Sequence, residues 1–230
     1  PDYDAFRYYE AQAGDDVICT AGIGYSPLQE IIYNIMGIEQ FAVEWAERRD
    51  ELMRLYDALV ADRRRLYPVV AEAPIMLSGY CGNICPEVVG RRRFEELIVP
   101  QLDELGEMLH RSGKLLSVHY DGNTKLIAEA INRSQVDILD SFTPFPNGDL
   151  TMAEGRAAWP DKVLWINFPG AYHHAGVPAI EEATRDLLCS VGRGERFLVG
   201  IKELIPKDQW QRTLPAVMRV LKNEGRLPLQ

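Results

Sequence analysis

The stretch KLLSVHYDGN, residues 114–123, decides the fold that we expect for this chain. Its apolar half is typical of a buried strand, and its polar half is typical of a tight turn directly after that strand. His119 and Asp121 are two residues apart, so an extended backbone points their side chains to the same side. An imidazole and a carboxylate placed together can form an acid/base pair or half of a metal site. A histidine at a strand end is also often a structural residue, and Asp-Gly is an ordinary turn signal, so both interpretations stay open.

Short apolar runs alternate with amphipathic helical segments along the chain. One helical segment is predicted over Ile38–Tyr67, with Pro68 as its end. The predicted strands are Asp16–Ala21, Val69–Gly79, residues 114–119, Val136–Asp140, Lys162–Asn167 and Arg196–Ile201. This alternation is typical of an α/β fold with a parallel sheet built from βαβ units. The pattern alone leaves a doubly wound sheet and a closed barrel equally open.

The predicted strands end in polar residues. In parallel α/β proteins the active groups collect at the carboxyl ends of the strands. Here those positions are Tyr80, Cys81, Asn83, His119, Asp121, Asn123, Asp140, Ser141, Thr143, Asn167, Lys202 and Glu203. We expect them to face one mouth if the sheet closes. Glu203 equally fits an ion pair with Lys202 or a neighbour, and the loop at His173 fits either a lid or a plain exposed loop.

Composition excludes several classes of function. The chain has 230 residues and a formal net charge of −9, which argues against a nucleic-acid or anionic-membrane surface. The arginine triplets at 63–65 and 91–93 are predicted to decorate helix ends or solvated faces. Four irregularly spaced cysteines do not make a disulfide framework, so we expect a reducing cytoplasm. The length fits a single domain over residues 1–230.

Several segments resemble the uroporphyrinogen decarboxylase superfamily, which includes methyltransferases that serve corrinoid proteins. Residues 24–29, GYSPLQ, are similar to its Gly-Pro-Phe-Ser/Thr segment, and residues 94–100 are similar to its helix with phenylalanine, glutamate and proline. HYDGN at 119–123 stands where that family has His-x-Cys-Gly-Asn. The resemblance implies a (β/α)8 TIM barrel. Because only six strands are predicted here, we expect this chain to lack the first barrel strands.

The resemblance also implies a chemistry. It suggests a methyltransferase that moves a methyl group between a small methylated substrate and a corrinoid protein, with zinc held by His119, Asp121 and Glu203. The substrate-orienting residues would be Tyr80, Asn83, Asn123 and Asp140. The alternatives are a metal-free carboxy-lyase, in which His119 and Asp121 act as an acid/base pair, and a barrel that only binds a ligand. Members of the family often form homodimers, so a homodimer is a further expectation.

Overall fold

A computed structural model describes residues 2–14, 18–192 and 194–226. Over these residues the fold is mixed α/β, with a six-stranded, all-parallel sheet whose strands follow one another in chain order. The strands are β1 (Thr20–Gly22), β2 (Leu77–Tyr80), β3 (Leu115–His119), β4 (Ile138–Phe142), β5 (Val163–Asn167) and β6 (Phe197–Gly200). The α/β class and the parallel sheet are therefore confirmed, and the eight-stranded closed barrel stays a prediction.

Twelve α-helical segments occur within the described ranges. They are α1 (Asp4–Ala13), α2 (Pro27–Gln29), α3 (Ile38–Glu47), α4 (Arg49–Arg64), α5 (Tyr67–Glu72), α6 (Pro86–Val89), α7 (Arg91–Arg93), α8 (Val99–Arg111), α9 (Ala128–Arg133), α10 (Met152–Ala158), α11 (Val177–Cys189) and α12 (Trp210–Glu224). A π-helical segment, Glu30–Met36, continues α2, and a second one, Phe94–Ile98, joins α7 to α8. Lys125–Ile127 and Gly170–His174 are 3-10 turns. None of the described helices is long and apolar enough to cross a membrane.

The residue contacts divide the chain into two compact units. The first unit consists of Pro1–His119 and Arg133–Ile138, and the second consists of Tyr120–Asn132 and Leu139–Gln230. The expectation of a single barrel domain over residues 1–230 stays a prediction.

The first unit contains β1, β2 and β3. In β1 and β2, Gly22 pairs with Gly79, and a side chain at Gly22 would come within 3.4 Å of the Gly79 carbonyl oxygen. Ser26 caps α2 in a capping box, in which its hydroxyl accepts from the Gln29 amide and the Gln29 side chain accepts from the Ser26 amide. Pro27 stands in the first turn, where its missing amide proton costs no helical hydrogen bond.

The second unit has a core around the rings of Phe142 and Trp159, whose centroids are 5.3 Å apart in an edge-to-face arrangement. Leu164 and Ile166 of β5 are fully buried, as expected for a strand covered on both faces. In β6, Gly200 pairs with Asn167, the last residue of β5. This pairing brings the ends of β5 and β6 level with each other.

Two predictions around Pro68 are wrong. The residues from Val69 to Glu72 belong to the helix α5, and the strand begins only at Leu77. A proline lacks an amide proton, which the first turn of a helix does not need, so Pro68 lies inside the start of α5 instead of ending a helix. The single helix predicted over Ile38–Tyr67 is also interrupted, because Arg48 adopts a non-helical conformation between α3 and α4.

Candidate functional site

The buried side chain of Asn167, the last residue of β5, binds the segment that follows β6. Asn167 is 2% exposed, and its Oδ1 accepts hydrogen bonds from the backbone amides of Lys202 at 2.8 Å and Glu203 at 3.2 Å. One side-chain oxygen therefore satisfies two amides of the segment that follows β6. This arrangement fixes the backbone from which the Glu203 side chain projects.

Glu203 is half-buried against the turn that follows β5. A Cβ atom added at Gly170 would lie 3.4 Å from both Cβ and Cγ of Glu203, so the turn presents bare backbone to this side chain. Burial raises the pKa of the Glu203 carboxyl group above its ordinary value, and the negative charge of Asp121 raises it further. Asp121 and Glu203, two of the predicted site residues, are thus close enough for the charge of Asp121 to act on the Glu203 carboxyl group.

Asp121 is held by a neighbouring hydroxyl group. The Oγ1 of Thr143, which is fully buried, donates a 2.6 Å hydrogen bond to Oδ1 of Asp121. The backbone packs tightly here, because a Cβ at Gly148 would lie only 2.0 Å from the carbonyl oxygen of Thr143 and 3.0 Å from that of Gly122. Only glycine fits such a close approach without displacing the backbone.

Lys202 supplies the positive charge of this region. Its ammonium group forms an ion pair with Oδ1 of Asp140 and lies 4.2 Å from the centroid of the Trp165 ring. The sequence left open an ion pair of Glu203 with Lys202 or with a neighbour, and in the structure the lysine pairs with Asp140. Lys202 and Glu203 follow the end of β6, as the sequence predicted. The prediction that Asp140 ends its strand is wrong: Asp140 lies in the middle of β4, because the buried residues Ser141 and Phe142 continue the strand.

Asn123 is exposed, and the segment after it is anchored to the Asp149 side chain. Oδ1 of Asp149 accepts from the backbone amides of Thr124 at 2.9 Å and Lys125 at 3.2 Å. The substrate-orienting roles of Asn123 and Asp140 stay predictions.

The other predicted site residues lie in the first unit. Tyr80 is 1% exposed, its hydroxyl is 3.4 Å from that of Tyr67, and burial raises its pKa well above the ordinary value. These are the contacts of a core residue. The Asn83 side chain is exposed, and its backbone carbonyl accepts a 2.9 Å hydrogen bond from Gln29. His119, the last residue of β3, is half-buried, and its carbonyl accepts from the Ile84 amide at 3.4 Å.

Cys81 and Cys85 lie in the segment that follows β2, and their thiol groups have different surroundings. Cys81 has a positive φ of 66°, and burial raises its pKa to about 12, so it is an unreactive thiol at neutral pH. The Cys85 thiol lies 3.1 Å from a carboxylate oxygen of Glu87.

The donor set does not support a metal centre. Among residues 2–14, 18–192 and 194–226, no group of three or more His, Cys, Asp or Glu side chains is arranged to hold a metal ion. Asp121 and Glu203 belong to the second unit, and His119 belongs to the first. The zinc ligand set of His119, Asp121 and Glu203 stays a prediction, and we derive no catalytic step through a metal.

Three residues around these side chains were missed from the sequence. Trp165, over which the Lys202 ammonium group lies, is inside β5, where an aromatic residue is an ordinary strand former. Gly148 and Gly170 lie in turns, where glycine is ordinary, and nothing local indicates which atoms each one must approach.

The chain matches no protein-family model, and no curated protein matches it either.

Proposed function

We propose that this protein is an enzyme that transfers a proton to a small substrate at the carboxyl ends of its strands, with Glu203 as the proton donor. The observation that carries the proposal is the electrostatic contact between Glu203 and Asp121, which together with burial raises the pKa of Glu203. Two neighbouring carboxyl groups favour the state in which one is protonated and the other is ionised. A carboxylic acid beside a carboxylate can donate and take up a proton in turn.

The surroundings of the two carboxyl groups support different roles. The hydroxyl of Thr143 donates to Asp121, and an ionised carboxylate is an acceptor only, so this contact suits the charged form. Glu203 has bare backbone at Gly170 beside it and a raised pKa, which suits the protonated form. We therefore assign Glu203 as general acid and Asp121 as the neighbouring base.

The reaction that we propose is methyl transfer from a small methylated substrate, as the resemblance to corrinoid-dependent methyltransferases implies. When the bond between the methyl carbon and its heteroatom breaks, the electron pair stays on the heteroatom. Glu203 supplies the proton that this heteroatom takes up. The methyl group would pass to reduced cobalt carried by a corrinoid protein, which would supply the electron pair of the new bond to carbon. Proton donation to a leaving group contributes typically about 10²- to 10⁴-fold to a rate.

The local charge favours this reaction over the carboxy-lyase alternative. Asp121, Asp140 and Glu203 contribute three carboxyl groups to this unit, and the ammonium group of Lys202 pairs with that of Asp140. A negative field repels a substrate with several carboxylates and suits a neutral or cationic one. The acid/base pair of His119 and Asp121 on a carboxylated substrate stays the second candidate.

A methyl-transfer assay tests the proposal. The purified protein is given free reduced cobalamin and a panel of methyl ethers, methylamines and methyl thioethers, and methylation is followed by absorbance. Replacement of Glu203 by Gln is expected to lower kcat about 100-fold or more with the best substrate. The matched control Glu195→Gln, at an exposed position of the same unit, leaves kcat unchanged. Full activity of Glu203→Gln would contradict the assigned role.

A second test does not depend on the substrate. Because the folded state raises the pKa of Glu203, its protonated form stabilises the fold at acid pH, and this stability is lost as the pH rises through the folded pKa. Glu203→Gln is therefore expected to unfold at higher denaturant concentration than the wild type at about pH 8, with no difference at about pH 3. A carbon-13 NMR titration of Glu203 in Asp121→Asn should show a lower pKa than in the wild type. An unchanged pKa would show that the two carboxyl groups do not interact.

A further inference from the structure

An arginine-lined cavity in the first unit carries an inference that is independent of the proposed function. The cavity has a volume of about 250 Å³. Four arginines, one tryptophan and one glutamate surround it beside Gly90: Trp45, Arg49, Arg91, Arg92, Arg93 and Glu96. So dense a group of cations is unexpected in a chain with a net charge of −9.

Two of these arginines stack on one indole ring. The guanidinium carbon of Arg49 lies 4.5 Å from the centroid of the Trp45 ring, and that of Arg93 lies 5.1 Å from it. Stacking on an aromatic face orients the planar guanidinium group while it leaves N–H donors along its edge. The ring therefore orients both guanidinium groups in advance. Arg93 donates from Nε and Nη2 to backbone carbonyls, so the donors that it offers to a ligand are those of Nη1.

The charges of this pair are not neutralised within the described part of the chain. Arg91 pairs with Glu95 at 2.9 Å and Arg92 pairs with Glu96 at 2.7 Å, each one helical turn away. Neither Arg49 nor Arg93 forms an ion pair with a described carboxylate. Arg93 donates instead to the carbonyl oxygens of Val89 at 2.5 Å and Val88 at 3.2 Å.

The positively charged guanidinium groups of Arg49 and Arg93 repel each other. Burial lowers the pKa of Arg93, and the positive charge of Arg49 lowers it further. Like charges held together cost free energy, and an anion placed between them removes that cost. Gly90 leaves room beside Arg93, because it has no side chain. A Cβ atom at this position would lie 3.2 Å from Nη2 of Arg93 and would crowd the guanidinium group.

We propose that this cavity binds a phosphate group, held by Arg49 and Arg93 against Trp45. A tetrahedral oxyanion matches the fork of a guanidinium group in a bidentate manner. The volume lies below the range of about 300 to 1,000 Å³ that is typical of drug-sized ligands, so the site suits a single phosphate group and not a whole nucleotide. The phosphate can belong to a small soluble molecule or to a lipid headgroup.

Calorimetric titration of the full chain with inorganic phosphate, at constant ionic strength, tests the site. Replacement of Arg49 by Gln is expected to weaken phosphate binding about tenfold or more, and Arg49→Lys to recover only part of the affinity, because an ammonium group has no fork. Arg49 is the better position to change, since Arg93 also holds two backbone carbonyls and its loss can disturb the fold.

The matched control is Arg54→Gln on the same helix α4. Arg54 is 77% exposed and only loosely paired with Glu51 at 3.8 Å, so this variant removes one charge without touching the cavity. Unchanged affinity in Arg54→Gln supports the site. An equal loss in both variants, or no measurable phosphate binding by the wild type, overturns it.

Co-sedimentation with vesicles that contain an anionic phospholipid separates the two sources of phosphate. Vesicle binding that Arg49→Gln abolishes identifies a headgroup as the ligand, whereas phosphate binding without vesicle binding identifies a soluble one. Binding to vesicles that is identical in Arg49→Gln and Arg54→Gln contradicts a role for the cavity.

Discussion

Thr143 and Asp121 are joined by a 2.6 Å hydrogen bond from Oγ1 of the threonine to Oδ1 of the aspartate. The bond lies within the second unit, where Thr143 is fully buried and Asp121 is half-buried. The Thr143 hydroxyl also lies 3.0 Å from the carbonyl oxygen of Ser141, and its bond to Asp121 is the shorter of the two. We expect the bond to Asp121 to help fix the orientation of that carboxylate beside Glu203.

Removal of the hydroxyl tests that relationship. Thr143→Val keeps the shape of the side chain but leaves the Asp121 oxygen without this donor. A hydrogen bond to a charged group is worth about 1.5–3 kcal/mol, so we expect the free energy of unfolding to fall by about 2 kcal/mol. We also expect a lower kcat with an unchanged KM, measured with the best methylated substrate.

The conservative variant separates the bond from simple packing. Thr143→Ser keeps the hydroxyl and loses only a methyl group, so it should retain most of the activity that Thr143→Val loses. If Ser and Val variants lose activity equally, the hydrogen bond does not orient Asp121.

The ends of β5 and β6 were predictable because the relevant signal is local, whereas the end of β4 was predicted at Asp140 and lies at Phe142. The apolar runs that end at Asn167 and before Lys202 are short and continuous, and in an α/β chain such runs are typical of parallel strands. The chain itself therefore indicates that Asn167, Lys202 and Glu203 follow strand ends. It does not indicate that the Asn167 side chain accepts from both amides, because that depends on how far the backbone turns after Gly200.

The arginine cluster was not predictable, because its partners are remote in sequence. The triplet at 91–93 was predicted to decorate a helix end, and the triplet does begin the helical run in α7. Nothing in the triplet indicates that Arg93, unlike Arg91 and Arg92, lies over the ring of Trp45 in α3.

The helix α5 was missed for a related reason. Val69 and Val70 favour strands by propensity, and only the packing of this segment overrides that preference.

The second prediction concerns Asn167, which positions Glu203 and takes no part in the proton transfer itself. Asn167→Ala removes the acceptor of two backbone hydrogen bonds, each worth about 1 kcal/mol, so the free energy of unfolding should fall by roughly 2 kcal/mol. Because Glu203 is then held less firmly, kcat should fall about tenfold. Denaturant unfolding and the methyl-transfer assay measure the two effects.

Asn167→Asp is the matched variant, because it keeps an oxygen at the same place. It should hold both amides and preserve the backbone after β6, so that its stability stays closer to the wild type than that of Asn167→Ala. Equal activity of Asn167→Ala and the wild type would show that the segment is positioned by other contacts.

His173 gives the third prediction, which concerns acid sensitivity. Its side chain is fully buried, and neither ring nitrogen has a hydrogen-bond partner within the described part of the chain. The sequence left this loop open as a lid or an exposed segment, and the structure has it as a 3-10 turn with His173 inside, its ring centroid 5.6 Å from that of Phe168. Burial lowers the pKa of His173, and the neighbouring His174 lowers it further.

The sign of the pH effect follows from that lowered pKa. The folded state prefers the neutral imidazole, so His173 contributes stability above its ordinary pKa of about 6.5, and this stability is lost as the pH falls through the lower folded value. His173→Phe keeps a flat ring without buried polar atoms. We expect it to raise the free energy of unfolding by about 1 kcal/mol at about pH 7 and to reduce the loss of stability between about pH 7 and pH 5.

The control is His174→Gln, at the exposed neighbouring position, which should keep most of this loss of stability. Denaturant unfolding across this pH range measures the wild type and both variants. An acid loss of the same size in His173→Phe and the wild type would assign the sensitivity to other groups.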